Sequence, residues 1–147
     1  MIIKIKNSEN YSKKTRKSKD IKLIVIHYTG MQSKIESIKR LLNPKHKVSC
    51  HYLIDRNGKV TKMVDENKVA WHAGKSKWKN FKNLNDNSIG IELVNKGHEF
   101  GYEKFTNSIP IEFLLRSVNF FHLDFPACHA ILLSSTIFVT FPFLSIK

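Results

Sequence analysis

The sequence has few cysteines, and it lacks an apolar run long enough to cross a bilayer. The two cysteines of this 147-residue chain, Cys50 and Cys128, show no C-x-x-C spacing. They exclude a disulfide scaffold and indicate free thiols or a reducing compartment. The apolar stretch 131–146 is shorter than the roughly 18–20 residues that a spanning helix needs. Residues 1–10 lack the apolar core and cleavage site of a signal peptide. We therefore expect a protein with free thiols or in a reducing compartment that does not bind a membrane.

Acidic residues are also scarce: 12 Asp and Glu stand against 25 Lys and Arg, which gives a formal net charge of +13. A charge this high favours an anionic partner such as nucleic acid, a membrane surface or an acidic polymer. The basic residues are scattered, however, and the one dense patch is 13–19. The interleaved aromatic and basic residues of RNA-binding modules are missing. A basic nucleic-acid-binding protein is therefore the weakest of our three functional interpretations, and we expect no nucleic-acid partner.

The stretch 22–30, KLIVIHYTG, is the one around which the chain is organised. Its run of Leu, Ile and Val is typical of a buried strand. His27 lies at the C-terminal end of that strand, where ligand sites of α/β sheets tend to lie. A histidine in such a place is more often a hydrogen-bonded core residue than a ligand, so the remaining motifs decide between the two interpretations.

Further elements follow in a pattern that predicts one α/β domain with a mixed sheet. A helix is expected over 33–42, where Asn43-Pro44 ends it. Strands are expected over 48–55 and 59–64, joined by a type I′ turn at Asn57-Gly58. A loop over 69–78, a turn at 85–87 and a strand over 88–94 complete the pattern.

The composition divides the chain into three parts. Residues 1–21 are predicted to be a basic N-terminal arm, with an edge strand followed by a loop. Residues 22–107 are predicted to form the catalytic domain. Residues 108–147 hold two of the 25 basic residues but seven of the ten phenylalanines, without helical or strand periodicity. This tail either completes the core or is foreign to the fold, as a frame change would make it, and we favour the second interpretation.

Glu92 is a carboxylate in the middle of the apolar strand SIGIELV. A bare buried charge is costly, so a buried Glu92 has to be paired, protonated or close to a metal. Beside His27 on a neighbouring strand it would form a metal ligand and general base for hydrolysis by a metal-bound water. The alternative, an outward-facing strand glutamate, is equally compatible with the residues alone.

Three motifs in order resemble the zinc-dependent N-acetylmuramoyl-L-alanine amidases of the AmpD type. They are IVIHYTG, VSCHYLIDRNGKVTKMVDENKVAWHAGKSKW and NDNSIGIELVN. The superfamily also contains peptidoglycan-recognition proteins and some phage lysozymes. The resemblance implies a mixed central sheet flanked by helices. It also implies cleavage of the amide between N-acetylmuramic acid and L-alanine in peptidoglycan fragments, as in the recycling of anhydromuropeptides by a cytoplasmic monomer.

The resemblance also implies roles for individual residues. His27 matches the first Zn²⁺ ligand, and Glu92 matches the carboxylate that activates the zinc-bound water. Trp71 and His72, in WHAG, match a loop that lines the substrate groove, and Asn87 belongs to the same rim. His51 matches a family histidine that does not bind the metal, which implies structural hydrogen bonding.

One family segment is missing from the chain. The family closes its site with a segment like GHSDIAPxRKxDPG, which supplies the second and third zinc ligands and an oxyanion-stabilising lysine. His122, Asp124 and His129 are weak substitutes, so the second and third ligands are not identified. Because a catalytic zinc needs three protein ligands, we expect weak or absent cleavage. The leading alternative function is a truncated or frame-altered, inactive homologue that at most binds muropeptides.

Overall fold

A computed structural model describes residues 4–78, 80–97 and Phe100. Its centre is a five-stranded mixed sheet with the strand order β1-β5-β4-β9-β3. Strands β3, β4 and β9 run parallel to one another, whereas β5 is antiparallel to β4. The mixed α/β sheet predicted from the sequence is confirmed. The sheet strands are β1 (Lys4–Ile5), β3 (Leu23–Tyr28), β4 (Tyr52–Ile54), β5 (Val60–Lys62) and β9 (Ser88–Leu93).

The remaining elements surround this sheet. Strand β2 (Tyr11–Thr15) pairs with β6 (Lys68–Ala70), and β7 (Lys77–Trp78) pairs with β8 (Phe81–Lys82). Helix α1 (Lys34–Leu42) begins after Ser33, whose hydroxyl accepts a hydrogen bond from the Glu36 amide, an N-cap. Helix α2 (Leu84–Asn87) directly precedes β9. Among the described helices, none combines the length and the hydrophobicity needed to cross a membrane.

The sheet has an apolar cluster on each face. Successive residues of a strand point to opposite faces, so β9 presents Ile89 and Ile91 on one side. These two pack in a cluster with Tyr52, Ile54 and Val60. The opposite face carries the second cluster, which Leu41 of α1 joins; its buried members are Leu41, Cys50, Leu53, Met63 and Val94.

The basic N-terminal stretch is more structured than the sequence predicted. The expected edge strand is present as β1, but the expected loop contains strand β2 and a 3-10 turn at Ser18–Asp20. Arg16, in the dense basic patch, is only 8% exposed. The prediction failed here because the pairing partner of β2 lies more than fifty residues along the chain. The division into an arm, a domain and a tail stays a prediction, and 108–147 lie outside the described residues.

Three local predictions were wrong. The hairpin between β4 and β5 is not a type I′ turn, because Gly58 has a positive φ of 75° and Asn57 does not. The Asp55 carbonyl accepts from the Gly58 amide, and the Asp55 amide donates to the Lys59 carbonyl, as in a three-residue loop with a bulge. The expected turn at 85–87 is part of helix α2, and the expected loop 69–78 contains strand residues at both ends.

Replacing Asn10 with alanine should destabilise the protein by about 1–3 kcal/mol, because three carbonyl groups would lose their donor. The Asn10 side-chain amide donates to the carbonyls of Leu41, Asn43 and Val48 and so joins the N-terminal segment to the end of α1. Asn7→Ala is the matched control, since Asn7 is exposed. Denaturant unfolding measures both variants, and an equal effect of the two would contradict this role of Asn10.

Candidate active site

His27 and Glu92 are direct neighbours across two parallel strands. In the register of β3 and β9, His27 is opposite Glu92, just as Val25 is opposite Gly90. Because paired residues of adjacent strands point to the same side, both side chains lie on one face of the sheet. His27 is 5% exposed and Glu92 is 1% exposed. The structure therefore brings together the two residues expected to carry the chemistry.

The Glu92 carboxyl group is buried, and neither of its oxygen atoms has a hydrogen-bond partner among the described residues. Its strand neighbour on β4 is Leu53, and Cys50 lies close enough for the two groups to interact electrostatically. Burial raises the pKa of Glu92 from 4.5 to about 8. The outward-facing alternative is therefore wrong, and the group holds a proton at neutral pH in the described surroundings.

His72 occupies the same face, between His27 and Ser88. Its Nδ1 lies 3.3 Å from His27 Nε2, and its Nε2 lies 3.1 Å from the Ser88 hydroxyl oxygen. The loop that carries it is held by Asn85, whose Oδ1 accepts hydrogen bonds from the amides of His72 and Ala73. Desolvation lowers the pKa of His72 well below its usual 6.5. Both ring nitrogens contact protein, so the substrate contact expected of His72 stays a prediction.

Gly90 makes room for the His72 ring. A Cβ atom at position 90 would lie 2.2 Å from His72 Cγ, which is far too close. The glycine of the SIGIEL strand is therefore required by the approach of a ring rather than by a turn. Sequence reasoning missed this contact, although a glycine inside an apolar strand is the signal that marks it.

His51 and Arg16 support this arrangement from the other side of Gly90. The Gly90 amide donates to His51 Nδ1, and the Arg16 guanidinium lies 2.7 Å from His51 Nε2. His51 thus makes the kind of structural hydrogen bond that the sequence led us to expect. Arg16 also donates to the carbonyls of Glu66, Asn85 and Ser88. Desolvation lowers its pKa to about 10, which leaves it charged at neutral pH.

The structure places Trp71 and Asn87 in different parts of the fold. Trp71 is half-buried, and its backbone is paired with Ser49 through two hydrogen bonds. Asn87 directly precedes β9, at the end of the strand opposite Glu92. Its side-chain amide donates a hydrogen bond to the carbonyl of Asp20, which lies shortly before β3. The structure therefore does not bring Asn87 together with the other site residues, and Asn85 holds the 72–73 loop instead. The substrate contacts expected of Trp71 and Asn87 stay predictions.

Comparison with known proteins identifies the family. Residues 17–109 match Amidase_2, described as N-acetylmuramoyl-L-alanine amidase. The chain belongs to this amidase family.

Individual relatives agree with this assignment. The chain is 41% identical over 105 residues to N-acetylmuramoyl-L-alanine amidase AmiD of Escherichia coli, covering 63% of this chain and 37% of AmiD. It is 33% identical over 114 residues to 1,6-anhydro-N-acetylmuramyl-L-alanine amidase AmpD of Haemophilus influenzae, covering 61% of this chain and 62% of AmpD. The chain thus spans less than two thirds of either relative.

A solved structure supports the same family assignment. The chain resembles E. coli AmiD in complex with the substrate anhydro-N-acetylmuramic acid-L-Ala-D-gamma-Glu-L-Lys, with a TM-score of 0.55 and 34% identity. The match covers 69% of this chain and 43% of that one. The amidase fold inferred from the three sequence motifs is therefore confirmed.

The described residues do not provide a complete zinc site for this amidase family member. No three His, Cys, Asp or Glu side chains converge within 4–78, 80–97 and Phe100 in a way that could hold a metal. A catalytic zinc takes three protein ligands. The residues weighed as substitutes, His122, Asp124 and His129, lie outside the described residues. Within the described part of the chain the donors do not fit the metal, and the assignment of His27 as a zinc ligand stays a prediction.

Gly90→Ala should destabilise the protein by about 1–3 kcal/mol, because the added methyl group forces the His72 ring away from the sheet. If the ring is the cause, the effect should largely disappear in a His72→Ala background, where the methyl group has room. The double-mutant cycle is measured by denaturant unfolding. An undiminished effect in that background would mean that backbone propensity, rather than the ring, explains the glycine.

The pH dependence of stability should separate Glu92 from the histidines. Between pH 4.5 and about 8 the folded protein keeps a proton on Glu92 that the unfolded chain has lost, so stability falls as pH rises through this window. The opposite holds for His27 and His51, whose pKa values burial lowers from 6.5 to about 4 and about 3. Their contribution is lost as pH falls below 6.5.

We therefore expect the free energy of unfolding, measured with a chelator present, to be greatest near pH 6.5. The decline above that pH should be absent in Glu92→Gln, which has no proton to lose. An identical decline in the variant would show that another group causes it.

Proposed function

We propose that this chain hydrolyses the amide between N-acetylmuramic acid and L-alanine in anhydromuropeptides. The observation that carries the proposal is the pair His27 and Glu92, side by side on one face of a family-typical sheet. Membership of the amidase family and the likeness to AmiD bound to a muropeptide support the substrate class. Anhydromuropeptide recycling in the cytoplasm by a monomer is the setting that this substrate suggests.

Glu92 has the properties of a general base for water attack. A base works best when its pKa lies near the operating pH, and burial raises the pKa of this carboxyl to about 8. Entry of water or a cation into the site would favour the ionised form, since either would replace part of the lost solvation. The ionised carboxylate can then take the proton from a water molecule placed between Glu92 and the amide carbon.

The rate depends on what polarises that water. A free water molecule has a pKa near 15.7, whereas a zinc-bound one has a pKa of about 7. The described residues lack three metal ligands, and the oxyanion-stabilising lysine of the family motif is absent from the sequence. Loss of one oxyanion donor costs roughly a hundredfold or more in rate. We therefore propose slow hydrolysis by this chain.

An open groove gives the stem peptide a place to bind. It has a volume of about 460 Å³ and begins at Gly30, which follows the strand that carries His27. Lys39 and Arg40 outnumber Glu36 among the charged residues that line it, so the groove carries a net positive charge. The carboxylates of a stem peptide complement that surface. None of the predicted site residues lines the groove; these residues are His27, Trp71, His72, Asn87 and Glu92. We therefore propose the groove as an extension of the site and not as the site itself.

A second candidate function is muropeptide binding without catalysis. The observation that favours it is the absence of a three-ligand cluster from the described residues. In this case the chain retains the sheet of the family, and the site holds the substrate without activating water. The two candidates differ in one measurable property, which is peptide release.

Release of stem peptide from an anhydromuropeptide tests the proposal. The full chain is purified without chelator, its zinc content is measured by atomic absorption, and released peptide is followed by chromatography. We expect slow release that falls about a hundredfold or more in Glu92→Gln, which cannot accept a proton. Glu9→Gln is the matched control, because Glu9 is an exposed glutamate outside the site.

Binding is followed in parallel by the fluorescence of Trp71 in a Trp78→Phe variant, where Trp71 is the single tryptophan of the chain. Binding without release would support the second candidate and contradict the first. Stoichiometric zinc with fast, Glu92-dependent release would overturn the expectation of slow hydrolysis and would place the missing ligands among the residues outside the described ranges.

A further inference from the structure

The hydrogen bonds around Ser88 determine where the protons of the neighbouring histidines lie. The Ser88 hydroxyl oxygen is 2.5 Å from the Leu84 carbonyl oxygen. A carbonyl has no proton, so at this distance the Ser88 hydroxyl must donate its single proton to Leu84. Ser88 is then left to accept at its 3.1 Å contact with His72, and His72 Nε2 must carry a proton.

The position of the proton on His72 in turn determines the position of the proton on His27. The His72 ring is buried and packs against the ring of His51, which the Arg16 guanidinium contacts, so a further positive charge on His72 is unfavourable. A neutral His72 with its proton on Nε2 has a lone pair on Nδ1. That nitrogen lies 3.3 Å from His27 Nε2, so His27 is the donor of this hydrogen bond.

We propose that Ser88 and His72 are positioning residues that hold His27 in the tautomer with its proton on Nε2. The nitrogen that remains with a lone pair is then His27 Nδ1, for which the described residues provide no hydrogen bond. A histidine that binds a metal or accepts a proton does so through a nitrogen of this kind, and a hydrogen bond from the other nitrogen fixes its orientation. We call the hydrogen-bonded chain Ser88–His72–His27 the relay. A role of the relay in catalysis rests on the proposed function, whereas the tautomer of His27 does not.

The geometry explains why the face of β9 carries these residues. Ser88, Gly90 and Glu92 alternate along one side of the strand: the hydroxyl accepts from His72, the glycine admits its ring, and the carboxyl lies beside His27. Helix α2 supplies the Leu84 carbonyl that receives the Ser88 proton. The relay therefore connects a helix carbonyl to the proposed active site through three buried side chains.

Nitrogen NMR of the full chain tests this proposal without substrate. Histidine labelled with ¹⁵N in the ring is introduced, and the seven histidines are assigned with single substitutions. Spectra recorded at neutral pH with a chelator present distinguish a protonated ring nitrogen from one with a lone pair. We expect protonated Nε2 and unprotonated Nδ1 in both His27 and His72. A proton on His27 Nδ1 would overturn the proposal even if the chain is an active amidase.

Two variants show whether Ser88 is the cause. Ser88→Ala removes the acceptor of His72 Nε2, so we expect both rings to shift towards a mixture of tautomers. Thr61→Val is the matched control, because the Thr61 hydroxyl is buried on the same face without a hydrogen-bond partner in the described part of the chain. Unchanged spectra of both rings in Ser88→Ala, or an equal change in Thr61→Val, would contradict the relay. Peptide release is measured separately, so an inactive chain with the expected tautomers would overturn the function alone.

Discussion

The burial of a carboxyl group that has no hydrogen-bond partner in the described part of the chain is the constraint on which the rest of this site depends. Glu92 lies in the central sheet between β3 and β4, where its two oxygens find no hydrogen-bond partner among the described residues. Burial of such a group reduces the stability of the fold, because the carboxyl loses its hydration and no hydrogen bond replaces it. Natural proteins keep costs of this kind mainly at functional sites. Because His27 lies directly opposite Glu92, the unfavourable burial of the carboxyl is explained best by a role of the two residues in a functional site.

The surrounding residues keep that face of the sheet ordered. Arg16 ties the N-terminal segment to the start of β9 through the Ser88 carbonyl, and it lies against His51. His51 in turn contacts Gly90, beneath the ring of His72. The three imidazoles form a continuous buried row, with ring centroids 5.5 and 5.7 Å apart. The N-terminal stretch thus belongs to the scaffold of the site.

The sequence allowed the elements and the central pair to be predicted, because both depend on local patterns. The apolar run before His27 and the alternation around Glu92 each predict a strand, and the family motifs give the order. The partners of Arg16 could not be predicted, since its contacts join residues 35 to 72 positions apart. The same holds for the contact between the His72 ring and Gly90, because the sequence does not show that Gly90 leaves space for the ring. Asn87 lies away from Glu92 because neighbours in sequence can lie at opposite ends of a strand in space, and the substrate contacts expected of His72 and Asn87 stay predictions.

The described arrangement of the site depends on the buried state of Glu92. The most direct measurement is a titration of the Glu92 side-chain carboxyl by ¹³C NMR in the chelated protein, with Glu92→Gln used to assign the signal. The account predicts a carboxyl that stays protonated through neutral pH and ionises near pH 8. Ionisation near the ordinary pKa of 4.5 would contradict it, because the carboxyl would then be solvated or paired and would not be the buried group beside His27 described above.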